Sequence, residues 1–552
     1  MNAIMERLCA GADDTVRGLT TAPVDEDGRS RLGDMTTSSW AHVHEMARSV
    51  AGALQASGVE PGEAVAVLAG APGEIAPLVQ GIWMCGASVT MLHHPTHRMD
   101  LALWAADLAA TLSAIGASTV VVGSPFRSAV GELSGVARRV LQLPELFGGA
   151  SGRIVSTPDD AIAFQQLTSG STGRAKAVTI SYRNIEANLR GMQAASGADP
   201  ESDVVVSWLP LFHDMGMMGY LIVPMCLGIE TVKVTPVDFL SDPLLWADLI
   251  TRHGGTMTAA PNFAYSLLAR RLRKAADGAY DLSTLRFALS GAETVDVKTL
   301  ERLLVEGARF GLQKEAIIPG YGMAEATLGV SLVRPGQGYT LTPPHPELVA
   351  SQEDSAQRVA LGPPLPGCEI RVVAEDGSEV TSPAIGELEV RGENVTRGYR
   401  TADGVESVTD SDGWFRTGDI GYLTDDGQPV ICGRKKDVLV VSGRNVHPED
   451  IERSVADVNG VRAGAVAAVR FSTAGVGEGF SMVAESALHG DGAERARIRT
   501  EIADRVYRKL GISPRTVHLV PVGWIPKTSS GKLRRSETAD RLHRLGEGEL
   551  AR

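Results

Sequence analysis

The feature that most constrains the fold is an alternation of short apolar runs with helix-like segments over the first two-thirds of the chain. The runs are rich in β-branched residues and have the length of buried strands. They are AVAVLAG (64–70), TVVVG (119–123), IAFQQLTS (162–169), DVVVSWL (203–209) and RFALSG (286–291), with helical patterns such as 184–192 and 243–252 between them. Because strands that alternate with helices pair in parallel, we predict an α/β fold with mostly parallel sheets.

The pattern changes twice in the last third of the chain. Between about 362 and 440, short strands are separated by turn signals, which indicates a β-rich subdomain. A compact α+β pattern then begins, and its amphipathic helix carries apolar residues spaced by four: Ile498, Ile502, Val506 and Leu510. Because 552 residues are too many for one core, we predict a large N-terminal domain over 1–435 and a small C-terminal domain over 436–552.

Charge and cysteine usage limit the classes of function. The formal net charge of −13 argues against long duplex nucleic acid as a partner, although a local basic pocket can still hold a nucleotide. Five scattered cysteines without a CxxC pair argue against a disulfide framework and a structural zinc site. The chain begins without a basic region followed by an apolar run, and its longest apolar stretch, 219–229, is too short to span a bilayer. We expect a cytoplasmic monomer or dimer without a membrane span.

The segment LTSGSTGRAKAVT (167–179) places small and hydroxyl residues directly after a predicted buried strand. Glycines allow several backbone N–H groups to turn inward, and such a concavity binds anions, to which Lys176 adds a positive charge. A flexible Gly/Ser linker is the alternative, but linkers seldom follow a strand inside a βα unit. A Walker A loop requires Gly before and Ser or Thr after its lysine, whereas Ala175 and Ala177 flank Lys176. The predicted phosphate ligands are Thr168, Ser169, Gly170, Ser171, Thr172, Gly173 and Lys176.

Seven motifs in order resemble the adenylate-forming superfamily, which includes acyl-CoA ligases, fatty acyl-AMP ligases, amino-acid adenylation domains and luciferases. They are TSGSTGxxK (168–176), WLPLFHDMG (208–216), SGAE (290–293), YGMAEAT (321–327), GWFRTGDIGY (413–422), GRKKDVLVVSGRNVHPEDIE (433–452) and PKTSSGKLRR (526–535). Three of them, LPLFHDMG, YGMAEATL and GRNVHPEDIE, are most similar to the fatty acyl-AMP ligase branch. The segment 325–362 is long, which is similar to the insertion of that branch.

The resemblance implies a reaction in two steps and a set of reacting groups. A carboxylate is joined to the α-phosphate of ATP with release of pyrophosphate, and a thiol then displaces AMP. The thiol is expected to be that of coenzyme A, with the phosphopantetheine of an acyl carrier protein as the alternative. By resemblance, Lys532 bridges the carboxylate and the α-phosphate, Glu325 binds Mg²⁺ and His213 lies at the mouth of the acyl pocket. The acid itself stays open, although an apolar pocket that includes Met217 and Met218 suits a hydrophobic one.

Other motif positions are implied to contact the nucleotide or to move. Asp419 matches the residue that accepts hydrogen bonds from the ribose, with Arg434 as its partner. The residues matched to the adenine end of the site are Gly291, Ala292, Glu293, Tyr321, Gly322, Met323 and Ala324. The C-terminal domain is implied to rotate about a hinge at Lys436, so that Gly443 and Arg444 face a thiol channel in the second step.

The chain departs from the family pattern at the end of the phosphate loop. The family loop usually ends in Pro-Lys-Gly, whereas this chain has Ala175-Lys176-Ala177. Because alanine tolerates positive φ poorly, we predict slow adenylation but retained transfer from a supplied acyl-adenylate. An amino-acid adenylation domain is a second interpretation, although such domains carry Asp where His213 stands. A non-catalytic binding protein is a third, against which the presence of Lys532 argues.

Overall fold

The computed structural model describes residues 1–94, 101–168, 176–343, 345, 357–380, 382–441, 444–473, 477–527 and 533–549. The chain divides into two compact units. The first unit comprises Met1–Tyr339, Leu361–Ile370 and Glu389–Arg416, and the second comprises Thr340–Ala360, Arg371–Leu388 and Thr417–Arg552. This division reflects packing rather than motion, so the hinge at Lys436 and the domains 1–435 and 436–552 stay predictions.

The helices and strands follow the predicted alternation. The helices are α1 (Ala3–Ala10), α2 (Trp40–Ala56), α3 (Pro72–Met84), α4 (Leu101–Ile115), α5 (Val130–Leu133), α6 (Tyr182–Ser196), α7 (Val223–Leu227), α8 (Pro236–Ser241), α9 (Leu244–His253), α10 (Asn262–Leu272), α11 (Val297–Gly307), α12 (Pro448–Ser454), α13 (Gly492–Leu510) and α14 (Arg535–Glu549). A π-helical segment, Met215–Ile222, runs directly into α7.

The strands are β1 (Gly18–Thr21), β2 (Thr36–Ser39), β3 (Ala64–Leu68), β4 (Ser88–Met91), β5 (Ala117–Val122), β6 (Arg139–Gln142), β7 (Ile162–Thr168), β8 (Lys176–Ser181), β9 (Val204–Ser207), β10 (Glu230–Lys233), β11 (Met257–Ala260), β12 (Phe287–Ser290), β13 (Ile317–Gly322), β14 (Gly329–Leu332), β15 (Leu341–Thr342), β16 (Arg358–Val359), β17 (Cys368–Val373), β18 (Gly386–Gly392), β19 (Gly398–Thr401), β20 (Gly404–Ser407), β21 (Phe415–Leu423), β22 (Pro429–Arg434), β23 (Leu439–Val441), β24 (Arg444–Val446), β25 (Val466–Thr473), β26 (Gly477–Glu485) and β27 (Val517–Val520). All five apolar runs read from the sequence are strands.

The first unit holds two eight-stranded sheets. One has the order β14–β13–β12–β11–β9–β10–β1–β2, and its strands from β13 to β1 are parallel. The other has the order β20–β19–β8–β7–β4–β3–β5–β6, with parallel pairing from β7 to β6. The predicted α/β class with mostly parallel sheets is therefore confirmed.

The core of the first unit joins the apolar faces of these elements. One buried cluster includes Leu19 of β1, Trp83 of α3, Phe164 of β7 and Met217 of the π-helical segment. Trp83 is fully buried, and its indole N–H donates to the carbonyl of Ala163 at 2.8 Å, so its polar atom is satisfied within the core. Truncating such a side chain typically costs about 3–5 kcal/mol, which indicates how firmly this layer is held.

The second unit is built around α13 and the sheet β25–β26–β27. The helix begins at Asp491, whose carboxylate accepts from two backbone N–H groups of the first turn, and ends at Gly511 with φ of 66°. Its four apolar residues spaced by four, Ile498, Ile502, Val506 and Leu510, are all buried in one cluster, as the sequence predicts. Apart from this helix and sheet, residues 368–434 form a four-stranded sheet in the order β17–β18–β21–β22, which matches the predicted β-rich segment.

Candidate active site

The predicted phosphate loop joins two antiparallel strands. Thr168 at the end of β7 stands opposite Lys176 at the start of β8. The βα unit expected around this loop is therefore wrong, because the apolar residues after the loop form a strand buried on both faces rather than a helix. Thr168 and Lys176 frame the loop, and the predicted ligands Ser169, Gly170, Ser171, Thr172 and Gly173 lie outside the described residues.

Thr168, where β7 leads into the loop, carries a buried hydroxyl group. The Oγ1 of Thr168 is buried and has no hydrogen-bond partner among the residues that the structure describes. Buried polar atoms are nearly always paired, so an unpaired hydroxyl at the start of a Gly/Ser/Thr loop fits an anionic ligand. The strand pairing also bears on the backbone strain predicted at Ala177. Ala177 lies in β8, and its φ is not positive. In the described part of the chain, the non-glycine residues with positive φ are Ala292 and Thr327. Ala177 therefore causes no backbone strain where the loop joins β8.

Tyr399 links the predicted loop lysine to the predicted magnesium ligand. The Lys176 ammonium lies 3.8 Å from the centroid of the Tyr399 ring, a cation–π contact. The Tyr399 hydroxyl donates to Oε1 of Glu325 at 2.6 Å. The link arises because β19 pairs with β8, which puts Tyr399 opposite Val178. Sequence reasoning missed Tyr399, since a tyrosine in a strand carries no local signal of function.

Glu325 itself lies in a tight turn after β13. The turn begins at Gly322, where a Cβ would meet the Leu328 carbonyl at 2.0 Å, so only glycine fits. It is fastened to the segment 394–396: the Thr327 hydroxyl donates to the Asn394 carbonyl at 2.7 Å, and the Thr396 N–H donates to the Glu325 carbonyl at 2.7 Å. Met323 and Ala324 are buried in the same turn, so the carboxylate is presented from a fixed backbone.

The predicted adenine segment follows β12, next to β13 in the parallel sheet. A Cβ on Gly291 would lie 3.2 Å from the Gly320 carbonyl, so the two strand ends approach closely. Ala292 has φ of 68°, a strained conformation for alanine that is typical of ligand-binding turns. Glu293 accepts from the Phe263 N–H at 3.1 Å. Tyr321 is the second-last residue of the neighbouring strand, so these residues share the carboxyl edge at which open α/β sheets bind ligands.

His213 lies immediately before the π-helical segment. Its Nδ1 is 2.6 Å from Oδ1 of Asp214 and accepts from the Met215 N–H at 3.3 Å. The side chain is 21% exposed, so it lies at the edge of the core rather than inside it. π-Helical turns are rare and cluster at functional sites, which agrees with a role for this segment. The role of His213 at the acyl pocket stays a prediction.

The second unit holds the predicted ribose pair. Asp419 of β21 stands opposite Arg434 of β22, and Arg434 Nε lies 2.6 Å from Asp419 Oδ1. The carboxylate is almost fully buried, whereas the guanidinium is half exposed. The Asp419 N–H donates to the Thr417 hydroxyl at 3.0 Å, which fixes the strand at this point. A fixed buried carboxylate can accept two ribose hydroxyls, as the resemblance implies.

The remaining predicted residues lie near or beyond the described segments of the second unit. Lys436 is exposed in the short turn Lys435–Asp437. Arg444 begins β24, and Gly443 and Lys532 lie outside the described residues. The roles of Lys436 as hinge, of Gly443 and Arg444 in a thiol channel, and of Lys532 in catalysis stay predictions.

Arg535, three residues beyond Lys532, ties the last motif to the hinge motif. Its Nη1 lies 2.9 Å from Asp437 Oδ2 and 2.8 Å from Glu449 Oε1, and its Nη2 lies 2.8 Å from Glu452 Oε2. Burial raises the pKa of Glu452 although Arg535 is bound to it. A network of three carboxylates around one largely buried guanidinium is a strong constraint on the segment that follows Lys532.

These features belong to a known family. Residues 19–400 match the family model described as AMP-binding enzyme. The chain is 47% identical to the Mycobacterium tuberculosis (strain ATCC 25618 / H37Rv) protein named "Putative ligase Rv1013" over 91% of this chain and 94% of that one. It is 32% identical to a long-chain-fatty-acid–AMP ligase, FadD26, of Mycobacterium marinum over 94% and 93%. A solved structure from work on fatty acyl-adenylate ligases of E. coli and L. pneumophila superposes with a TM-score of 0.86 at 26% identity, over 98% of both chains.

The chain therefore belongs to the AMP-binding, adenylate-forming enzymes, in their fatty acyl ligase branch. It is a ligase that forms acyl-adenylates. None of the helices in the described ranges is long and apolar enough to cross a membrane.

Proposed function

We propose that this protein activates a carboxylic acid with ATP and Mg²⁺ and passes the acyl group to a phosphopantetheine thiol. A carboxylate oxygen attacks the α-phosphorus and pyrophosphate leaves; the thiol sulfur then attacks the acyl carbon and AMP leaves. The first step brings two anions together, so positive charge and oriented donors are its main requirement. Lys532 supplies that charge in the proposal, and Asp419 with Arg434 holds the ribose.

The observation that carries the proposal is the Lys176–Tyr399–Glu325 chain. It joins an ammonium at the end of the loop to a carboxylate through one tyrosine. Magnesium prefers carboxylate and phosphate oxygens, and when bound it would neutralise the charge that develops on the phosphate oxygens. Glu325 fits as its protein ligand, and the unpaired Thr168 hydroxyl fits a phosphate oxygen. The residues present thus suit ATP and Mg²⁺ together.

The acceptor is proposed to be a carrier protein, with free coenzyme A as the alternative. Arg358, from the long segment before residue 362, forms a bidentate pair with Asp450 at 2.9 and 2.8 Å, and its side chain is 7% exposed. The two residues lie on opposite sides of Lys436 along the chain, so rotation at that hinge would have to break the pair. The rotation would give up two charge-assisted hydrogen bonds, and such bonds contribute about 1.5–3 kcal/mol each. A docked carrier protein can supply binding energy over a whole interface, which a small thiol cannot.

The acceptor is tested by thioester formation from acid, ATP and Mg²⁺ with either a phosphopantetheinylated carrier or coenzyme A. We expect the carrier to be loaded at least tenfold faster, and Arg358→Ala to raise coenzyme A turnover selectively. Arg391→Ala is the matched control, because Arg391 forms an exposed pair with Glu369 at 2.7 Å. Equal rates with both thiols, unchanged in Arg358→Ala, would contradict a carrier protein as the preferred acceptor, and faster turnover of coenzyme A by wild type would identify coenzyme A.

The adenylation step is tested separately by comparing thioester formation from acid plus ATP with thioester formation from supplied acyl-adenylate. The sequence prediction of slow adenylation requires faster thioester formation from supplied acyl-adenylate than from acid plus ATP. Ala177 no longer supports this prediction, since it is an ordinary strand residue. Restoring the usual residues in Ala175→Pro and Ala177→Gly shows which of the two departures matters, with pyrophosphate release as the readout.

A further inference from the structure

Lys233 is a buried lysine that the proposed chemistry does not use. It is the last residue of β10 and is fully buried, with 0% of its surface exposed. Within the described ranges its ammonium makes one hydrogen bond, to the Ser207 hydroxyl at 3.0 Å, although it has three N–H donors. Burial lowers the pKa of Lys233 to about 7.

Two hydroxyl residues flank Lys233 at the same edge of the sheet. Ser207 ends β9 and is its direct partner across the parallel pair. On the other side, Leu19 and Thr20 of β1 pair with Thr231 and Val232, so the next residues of the two strands, Thr21 and Lys233, are neighbours. The Oγ1 of Thr21 is buried and has no hydrogen-bond partner in the described part of the chain. The edge thus carries an ammonium with unused donors beside an unpaired hydroxyl.

The face of β1 that carries Thr21 joins the main buried cluster of the first unit. Side chains alternate along a strand, so Thr21 and Leu19 point to the same face. Leu19 belongs to the same buried cluster as Met217 and Met218 of the π-helical segment. That segment begins beside His213, which the family resemblance places at the mouth of the acyl pocket. Lys233 therefore lies at the carboxyl edge of the sheet, beside the face of β1 whose Leu19 shares a buried cluster with Met217 and Met218, the residues expected to line the acyl pocket.

The geometry points to Lys233, with Ser207 and Thr21, as the binding site for a carboxylate at the far end of the acyl chain, so that the substrate is a dicarboxylic acid. This inference rests on the proposed function, because it names the acid that the same site activates. The carboxylate would accept the unused ammonium donors and the Thr21 hydroxyl. It would also supply the counter-charge that the described surroundings of Lys233 lack.

A structural role explains these contacts less well. A lysine kept for stability would be paired with a carboxylate or reach the solvent with its ammonium. Lys233 does neither within the described structure, and a buried lysine without a counter-charge is a cost to the fold. Residues that burden stability in this way are typical of functional sites.

The sheet order sets the length of the acid. From β12, which precedes the predicted adenine segment, to β10 there are three strand spacings, about 14 Å in all. An extended chain of roughly six to twelve carbon atoms covers this distance once the reach of the lysine side chain is included. A medium-length dicarboxylic acid is therefore the expected substrate.

The test compares α,ω-dicarboxylic acids with monocarboxylic acids of the same carbon number, using pyrophosphate release by wild type, Lys233→Met and Lys233→Gln. We expect wild type to prefer the dicarboxylic acid by at least tenfold in kcat/KM, mostly through KM, and Lys233→Met to reverse the preference. Lys314→Met is the control for loss of one lysine, since Lys314 lies over the Tyr339 ring at 5.1 Å, away from this edge. It should keep the wild-type preference.

Calorimetric binding of non-hydrolysable acyl-adenylate analogues, with and without the distal carboxylate, separates the two proposals. Equal binding of both analogues to wild type and Lys233→Met would overturn the role of Lys233 and leave acid activation intact. If neither analogue binds and no acid releases pyrophosphate, the proposed function itself is wrong. A preference for monocarboxylic acids in wild type would also overturn the inference.

Discussion

The Tyr399 hydroxyl donates a hydrogen bond of 2.6 Å to Glu325, and the two residues are 74 positions apart in the chain. The same tyrosine ring carries the ammonium of Lys176 at 3.8 Å. One side chain thus orients a carboxylate suited to magnesium and a cation suited to phosphate. The family motifs contain both charged residues but do not point to the tyrosine that sets their geometry.

Replacing Tyr399 by phenylalanine isolates the hydrogen bond, because the ring that supports Lys176 is kept. A hydrogen bond to a charged group contributes about 1.5–3 kcal/mol, so we expect pyrophosphate release to fall by roughly tenfold to a hundredfold. The Mg²⁺ concentration that gives half-maximal rate should rise, since Glu325 loses its orienting donor. Thioester formation from supplied acyl-adenylate should change little.

The control for Tyr399→Phe is Tyr422→Phe. Tyr422 also loses one hydrogen bond, to the Thr342 hydroxyl at 3.0 Å, but it is not part of this chain of contacts. An unchanged Mg²⁺ dependence in Tyr399→Phe would show that Glu325 does not bind the metal through this arrangement.

Much of the fold could be predicted because its signals are local. Apolar, β-branched runs indicate the buried strands. The spacing of Ile498, Ile502 and Val506 is enough to predict the buried face of α13. Asp419 and Arg434 were also expected to act together, and the structure pairs them across β21 and β22. Both residues lie within motifs whose order along the chain indicates the family, and the resemblance to that family implies their pairing.

The features that escaped prediction depend on register between distant strands. Tyr399 reaches Lys176 only because β19 adds to the edge of β8, and nothing in either segment specifies that pairing. The strand after the phosphate loop was missed for the same reason, since KAVTIS has no alternation that separates a buried strand from the start of a helix. Because most lysines are exposed, the sequence alone gives no sign that Lys233 is buried. Its position follows only from the pairing of β10 with β9, which places Ser207 beside it.

Asp419→Asn tests the predicted ribose pair. The amide keeps the shape but loses the charge and one acceptor, so we expect the KM for ATP to rise by roughly tenfold or more, with a smaller change in kcat. Stability should change little through Arg434, which is half exposed and already solvated. Direct binding of AMP, measured by calorimetry, should weaken in parallel. Glu369→Gln, which breaks an exposed pair with Arg391, should leave both measurements unchanged.

Arg535→Ala tests whether the last motif is positioned through the hinge motif. Removing the guanidinium leaves Asp437, Glu449 and Glu452 facing one another, and loss of one partner of a buried network costs about 3–5 kcal/mol. We therefore expect a lower melting temperature and slower adenylation, with partial rescue of both by Arg535→Lys. The stability defect should shrink as the pH falls, because burial raises the pKa of Glu452 and its protonation removes one of the three like charges.

The matched variant is Arg497→Ala on the exposed side of α13, where Arg497 pairs with Glu494 and Glu501. Exposed pairs of this type contribute little, so the melting temperature should stay close to that of wild type. Equal effects of the two variants would show that the Arg535 network has no special positioning role.

Lys233→Met should stabilise the protein in the absence of substrate, and the gain should depend on pH. Burial lowers the folded-state pKa of Lys233 to about 7, below the ordinary value for lysine, so the unfolded chain binds more protons than the folded one between pH 7 and about 10.5. The free energy of unfolding of wild type therefore rises with pH across this window and falls as pH drops through it.

Methionine removes the titration, so the advantage of Lys233→Met should be largest at and below pH 7 and should decline by roughly 4 kcal/mol on going to pH 10. Denaturant unfolding at several pH values measures this, and Lys314→Met should show no such dependence. A constant difference across the window would mean that the Lys233 ammonium is already compensated in the folded state.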